Sequence, residues 1–155
     1  MQIGIPKEIL AEENRVAATP ETVSKYLAMG FDVAVEASAG EGIQISDNDY
    51  RIAGAKIISD AKTLLAGSHI VLKVKQPVFH ERMGQHEVSM LREGGILITF
   101  LHPAAPENHE MIKRLRDKNI TAFTMDGIPR IPRAQRMDAL SSMSAVTGYK
   151  AVIMA

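Results

Sequence analysis

Short β-branched runs alternate with capped helical segments along almost the whole chain, and no other feature limits the possible folds more. Gln2–Ile5, Asp32–Glu36, Lys56–Ile58, Ile70–Val74, Ile96–Leu101 and Ile120–Met125 read as strands. Ile70–Val74 and Ile96–Leu101 are apolar nearly throughout, as strands covered on both faces should be. Between the strands lie helical signals. Thr19-Pro20 supplies an N-cap and an N1 proline for Glu21–Met29, and Gly30 stands at the C′ position. Ser46-Asp47-Asn48-Asp49 reads as a capping box for a short helix that stops at Gly54. Further helices are predicted near Ala61–Ala66, over Glu87–Arg92 and over Pro106–Lys118, the last with acids early and bases late, as the helix dipole favours. Asp138 can cap a final helix. Strand and helix alternating in this way predict an α/β fold: a parallel-sheet, three-layer, Rossmann-like (flavodoxin-like) domain.

The final helix runs to Ala155 with no glycine, proline or cap, and Val146, Val152, Ile153 and Met154 find no partner sequence after them. The expectation is a chain truncated before a further domain. With 155 residues it can build one sizeable core rather than two.

Composition removes several function classes. Lys+Arg and Asp+Glu both number 18, so there is no basic surface for phosphate backbones, and aromatics at 5% give little for base stacking. Nucleic acid is therefore not an expected partner. The absence of cysteine excludes disulfides and thiol chemistry. No run of about 18 apolar residues is present, and Gly4, Pro6 and Lys7 interrupt the first apolar stretch too early for a signal peptide. The expectation is a soluble, cytosolic chain that can still join a membrane complex through a partner.

Phosphate-binding motifs are missing. Gly40-Glu41-Gly42 is a lone G-x-G with Ile45 where a third glycine should stand, which reads as a plain turn. The five histidines have no metal spacing, so no metal is expected; His80, His86 and His109 lie in polar stretches and read as solvated. Three other polar residues stand at strand ends: Arg15 after the first strand, Lys75 closing Ile70–Val74, and His102 closing Ile96–Leu101. Ligands bind at the carboxyl ends of strands in open parallel sheets. Arg and Lys there suit a carboxylate, and a histidine suits proton exchange. The alternative is that strand ends simply leave the core, where polar residues are ordinary.

A second cluster runs from Pro129 through Arg130, Arg133, Gln135, Arg136 and Asp138 to Ser141 and Ser142. It holds the donors and acceptors that a nicotinamide carboxamide needs. A charged surface loop followed by a helix cap would have much the same composition.

Gly4-Ile5-Pro6-Lys7-Glu8, Glu13-Asn14-Arg15-Val16-Ala17-Ala18-Thr19-Pro20, Glu36-Ala37-Ser38-Ala39-Gly40 and Leu72-Lys73-Val74-Lys75-Gln76-Pro77 resemble the alanine dehydrogenase and transhydrogenase N-terminal domain family. Pro129–Gln135, Met137–Ser142 and Gly148-Tyr149-Lys150-Ala151 are similar to its transhydrogenase branch. The resemblance implies residues 1–137 as the N-terminal α/β domain and 138–155 as the start of a long helix leading to an NAD-binding Rossmann domain. It implies the NAD(H)-binding alpha subunit of a proton-translocating NAD(P) transhydrogenase, which transfers hydride from NADH to NADP+. Arg130, Gln135, Asp138 and Ser141 would lie beside the nicotinamide, with Tyr149 at the same nucleotide site. Implied partners are a second copy in a homodimer, a membrane-embedded proton channel and an NADP(H)-binding component, on the cytoplasmic side of a bacterial inner membrane. Arg15, Lys75 and His102 match the carboxylate-holding and acid/base residues of the alanine dehydrogenase branch, which keeps an NAD-dependent oxidative deaminase as the alternative. A non-catalytic docking or dimerisation module is a further alternative.

Overall fold

A computed structural model describes all residues, Met1–Ala155. Six parallel strands form the sheet: β1 (Gln2–Ile5), β2 (Asp32–Glu36), β3 (Lys56–Ile58), β4 (Ile70–Leu72), β7 (Ile96–Thr99) and β8 (Thr121–Thr124), in the order β3-β2-β1-β4-β7-β8. Two very short strands, β5 (Phe79–His80) and β6 (Gln85–His86), pair antiparallel in a hairpin outside the sheet. The helices are α1 (Pro20–Ala28), α2 (Asp47–Ile52), α3 (Ala61–Gly67), α4 (Glu87–Met90), α5 (His109–Asp117) and α6 (Ala139–Met154).

Strand periodicity divides the core between the two faces of the sheet. Ile3, Ile5, Val33 and Val35 turn towards Val23 of α1 and Tyr50 of α2. Val71 and Leu97 turn the other way, towards Leu65 of α3, Val88 of α4, and Met111 and Leu115 of α5. That is the three-layer arrangement the alternation predicts. Gly4 sits in β1 where α3 ends: a Cβ there would lie 2.1 Å from Ser68 Oγ, so only a glycine allows the close approach.

Local signals are realised as expected. Thr19 caps α1 through the Thr22 backbone N–H, and Gly30 takes φ +87°. Ser46 and Asp49 form the reciprocal capping box of α2. Several boundaries differ. β4 ends at Leu72 rather than Val74 because the N–H groups of Val74 and Lys75 turn to the Glu8 carboxylate, at 2.6 and 3.4 Å. β7 ends at Thr99 rather than Leu101, because the N–H groups of Leu101 and His102 donate to the side chains of Thr124 and Asp126. α4 stops at Met90, not Arg92, as Leu91 becomes extended. The Pro106–Lys118 segment divides into a 3-10 turn, Pro106–Asn108, and α5.

Two further corrections concern polar residues. His80 is buried in the hairpin rather than solvated, and His86 is half-buried, whereas His109 is exposed. The Gly40–Gly42 turn is a single 3-10 turn, Glu41–Ile43. Cβ atoms at its two glycines would strike the Ile45 carbonyl and the Asn14 backbone, so these glycines serve packing.

Candidate functional site

The strand sequence along the sheet reverses between β1 and β4, which makes that gap the switch point where open α/β sheets bind ligands. The segments leaving the two strands meet there. Glu8, beyond β1, accepts from the backbone of Val74 and Lys75 and lies 3.4 Å from Lys73 Nζ. Lys73 also donates to Glu87 at the start of α4, at 2.7 Å, and Glu87 accepts from the Val78 N–H at 2.9 Å. Burial alone would push the Lys73 ammonium down, but the two carboxylates hold it above its ordinary value. Burial pushes Glu8 up, against the pull of Lys73 and the backbone N–H groups. Sequence reasoning passed over Glu8, Lys73 and Glu87. The available signal was a lysine inside an apolar strand run, which demands a buried counter-charge.

Arg15, Lys75 and His102 stand in the loops that follow the neighbouring strands β1, β4 and β7 at the carboxyl end of the sheet, and of the three only Arg15 lines the cleft there. None closes its strand; each stands in the loop beyond. Arg15 is engaged by Glu13, with Nε 2.8 Å from Oε1, and it also reaches the Met143 sulfur on α6. Its guanidinium keeps the Glu13 carboxyl below the usual range. Arg15, Leu72, Val74, Ile98, Phe100 and Met143 line a largely apolar cleft of about 410 Å³ at this edge. His102 adopts φ +47°, the left-handed region that a residue with a Cβ seldom enters. Its Nδ1 lies 2.7 Å from Asp126 Oδ1, and its ring stacks on Phe100 with centroids 6.0 Å apart.

The second constellation is a separate, polar recess of about 250 Å³ lined by Arg130, Ile131, Pro132, Gln135, Asp138 and Ser141. Pro132–Ala134 forms a 3-10 turn whose Ala134 is buried, anchoring the loop. Asp138 caps α6 by accepting from the Ser141 backbone N–H at 3.1 Å and from the Ser141 hydroxyl. Those bonds, side chain first, and the Arg130 charge hold the Asp138 carboxyl below its ordinary value. Arg130, Gln135, Asp138 and Ser141 therefore share one wall. Tyr149 does not: it stands two turns further along α6, 72% exposed, and lines no part of the recess. The first turn of α6 borders both cavities, with Ala139 and Met143 on the cleft and Asp138 and Ser141 on the recess.

The residues lining the recess fit a carboxamide. Gln135 offers a donor and an acceptor, Arg130 a fork of donors, and Asp138 further acceptor capacity. The edge of the sheet does not fit a pyrophosphate: β1 runs into Pro6, Lys7 and Glu8, and α1 begins only at Pro20, so no helix N-terminus follows the strand directly. No group of three or more His, Asp or Glu side chains stands close enough to hold a metal ion, and no helix is long and apolar enough to cross a membrane.

A doubly wound parallel sheet with polar groups gathered at its switch point defines an open, Rossmann-like α/β domain. The family described as "Alanine dehydrogenase/PNT, N-terminal domain" matches residues 4–147, and the chain belongs to that family. It is 44% identical over 153 residues to an NAD(P) transhydrogenase alpha-subunit polypeptide of Rhodospirillum rubrum, covering 99% of this chain and 39% of the relative. It is 37% identical over 152 residues to an alanine dehydrogenase of Methanococcus maripaludis, covering 98% of this chain and 38% of that one. The crystal structure of a transhydrogenase from Sinorhizobium meliloti superposes with a TM-score of 0.88 at 38% identity, over 100% of this chain and 44% of that chain. The chain thus spans about two-fifths of the length of these relatives.

Proposed function

We propose that this chain is the nicotinamide-facing portion of the NAD(H)-binding alpha subunit of a proton-translocating NAD(P) transhydrogenase. The observation that carries the proposal is the single recess shared by Arg130, Gln135, Asp138 and Ser141. Bound NADH supplies the hydride, and NADP+ on a partner component receives it. The chain's own residues orient and surround. Arg130 and Gln135 hold the carboxamide end, while Asp138, kept ionised by Ser141, accepts from a donor and fixes the first turn of α6. Direct hydride transfer needs little beyond geometry and electrostatics from the protein.

On this reading residues 1–137 form one domain, and α6 leads to a second domain that holds the phosphates and adenosine, for which this sheet edge has no cradle. The subunit works as a homodimer beside a membrane-embedded proton channel on the cytoplasmic side of a bacterial inner membrane. Tyr149, exposed on α6, faces the nucleotide only once the second domain is in place. Arg15, Lys75 and His102, in the loops after three adjacent strands, support a second reading, an NAD-dependent amino-acid deaminase. The two are separated by assaying the full-length protein for hydride transfer from NADH to an NADP+ analogue and for alanine-dependent reduction of NAD+. Transfer without alanine oxidation supports the transhydrogenase. Alanine oxidation overturns it.

A further inference from the structure

Asp126 and His102 are joined by more than one bond. Thr124 Oγ1 accepts from the backbone N–H groups of Leu101, at 3.2 Å, and Asp126, at 3.3 Å. Its own hydrogen is therefore directed to Asp126 Oδ2. The same Oδ2 accepts from the His102 N–H at 2.8 Å, leaving Oδ1 for His102 Nδ1 at 2.7 Å. Asn108 Nδ2 donates to the carbonyls of Leu101 and His102, and Phe100 stacks on the ring. Backbone N–H, backbone carbonyl, ring face and one ring nitrogen are all fixed. Only Nε2 has no protein partner, on a side chain 43% exposed and stacked on Phe100, which itself lines the cleft.

An ionised carboxylate accepts hydrogen bonds and cannot donate, so the nitrogen facing it must carry the proton. Burial pushes Asp126 up, but the bonds from the Thr124 hydroxyl and the His102 backbone N–H hold it below its ordinary value and ionised. The tautomer follows from that network.

We propose that Asp126 is a positioning residue: it fixes the neutral His102 ring in the Nδ1–H form and leaves the exposed Nε2, beside the Phe100 that lines the cleft, as a hydrogen-bond acceptor. The ligand it suits carries a hydroxyl or amide N–H donor. On the function proposed above, that donor belongs to the nicotinamide half of NADH; the tautomer itself does not depend on that function.

Asp126→Asn tests the claim without removing a packed side chain. Backbone His102 N–H and the Thr124 hydroxyl both point at Oδ2, so the asparagine oxygen stays there and its NH2 turns to His102 Nδ1. The ring must then reverse to the Nε2–H form. Nitrogen-15 spectra of the full-length protein, labelled at histidine and recorded at alkaline pH, report the tautomer; His102→Gln assigns the signal. The wild type should be Nδ1–H, Asp126→Asn should be Nε2–H, and Asp126→Glu should return to Nδ1–H. A wild-type ring in the Nε2–H form, or one unchanged by Asp126→Asn in a folded protein, overturns the proposal. Saturating NADH should move the wild-type Nε2 signal upfield; binding without that shift overturns the ligand contact. Absence of NADH binding by fluorescence titration would instead remove the proposed function and leave the tautomer result standing.

Discussion

Lys73 Nζ lies 2.7 Å from Glu87 Oε1, with both side chains only 2% exposed, and this buried pair ties the end of β4 to the start of α4. Glu8 completes the cluster from beyond β1. The segment after β1, the end of β4 and the start of α4 thus meet on one ammonium, at the edge where the cleft opens. Replacing Lys73 by Met leaves two buried carboxylates without their cation, which typically destabilises by about 3–5 kcal/mol. Urea unfolding of the folded variant and the wild type measures this. A loss below about 1 kcal/mol would mean that water reaches the cluster and the cation is dispensable.

Glu8 gives the cluster a pH dependence whose sign is fixed. Burial raises its folded pKa above the ordinary value of 4.5, so folding takes up a proton between the two values. Stability from this group is full below the unfolded value and declines as pH rises through the folded one. Glu8→Gln carries no such proton, and Lys73 keeps Glu87 as its partner. The stability of Glu8→Gln relative to wild type should therefore improve as pH rises through that window. Urea midpoints collected from acid to neutral pH test it, and a flat or opposite trend contradicts it.

His102 separates the two catalytic readings. Under the transhydrogenase reading, His102→Gln in the full-length protein retains most hydride transfer from NADH to an NADP+ analogue, because no proton is moved and glutamine can still accept a hydrogen bond. Under the deaminase reading the same change costs about two to four orders of magnitude in alanine oxidation, as losing a general base does. Steady-state rates for both reactions decide between them.

What the sequence revealed was largely local. Thr19-Pro20 and the Ser46/Asp49 box state their helix starts within a few residues, and both are realised. β1 and β2 have their predicted limits because ladder pairing continues to their ends. The early end of β4 was hidden because it depends on Glu8, 66 residues away from Val74. The hairpin Phe79–His86 has only two residues per strand, too few for any periodicity. Arg130, Gln135, Asp138 and Ser141 were singled out by the family resemblance, and they line one recess because they lie within one loop and one helical turn. The partner of His102 was not: Asp126 reaches it only because β7 and β8 pair in register from Ile96 and Thr121. Tyr149 shares a helix with Ser141, yet eight residues at about 1.5 Å rise carry it beyond the recess.

The recess is central to the proposed function only if it acts on the nicotinamide ring rather than serving as a general affinity contact. Gln135→Asn keeps the amide and shortens its reach, so it changes position without changing hydrogen-bonding type. A displacement of about an ångström at the reacting carbon can cost on the order of a hundredfold in rate. The decisive measurement pairs single-turnover hydride transfer by stopped flow with equilibrium NADH binding on the same full-length variant, its folding checked by circular dichroism. The predicted result is transfer slowed by at least about tenfold, or ~1.4 kcal/mol of barrier, with a much smaller change in NADH affinity. Equal losses of rate and affinity, or no change in either, would contradict it.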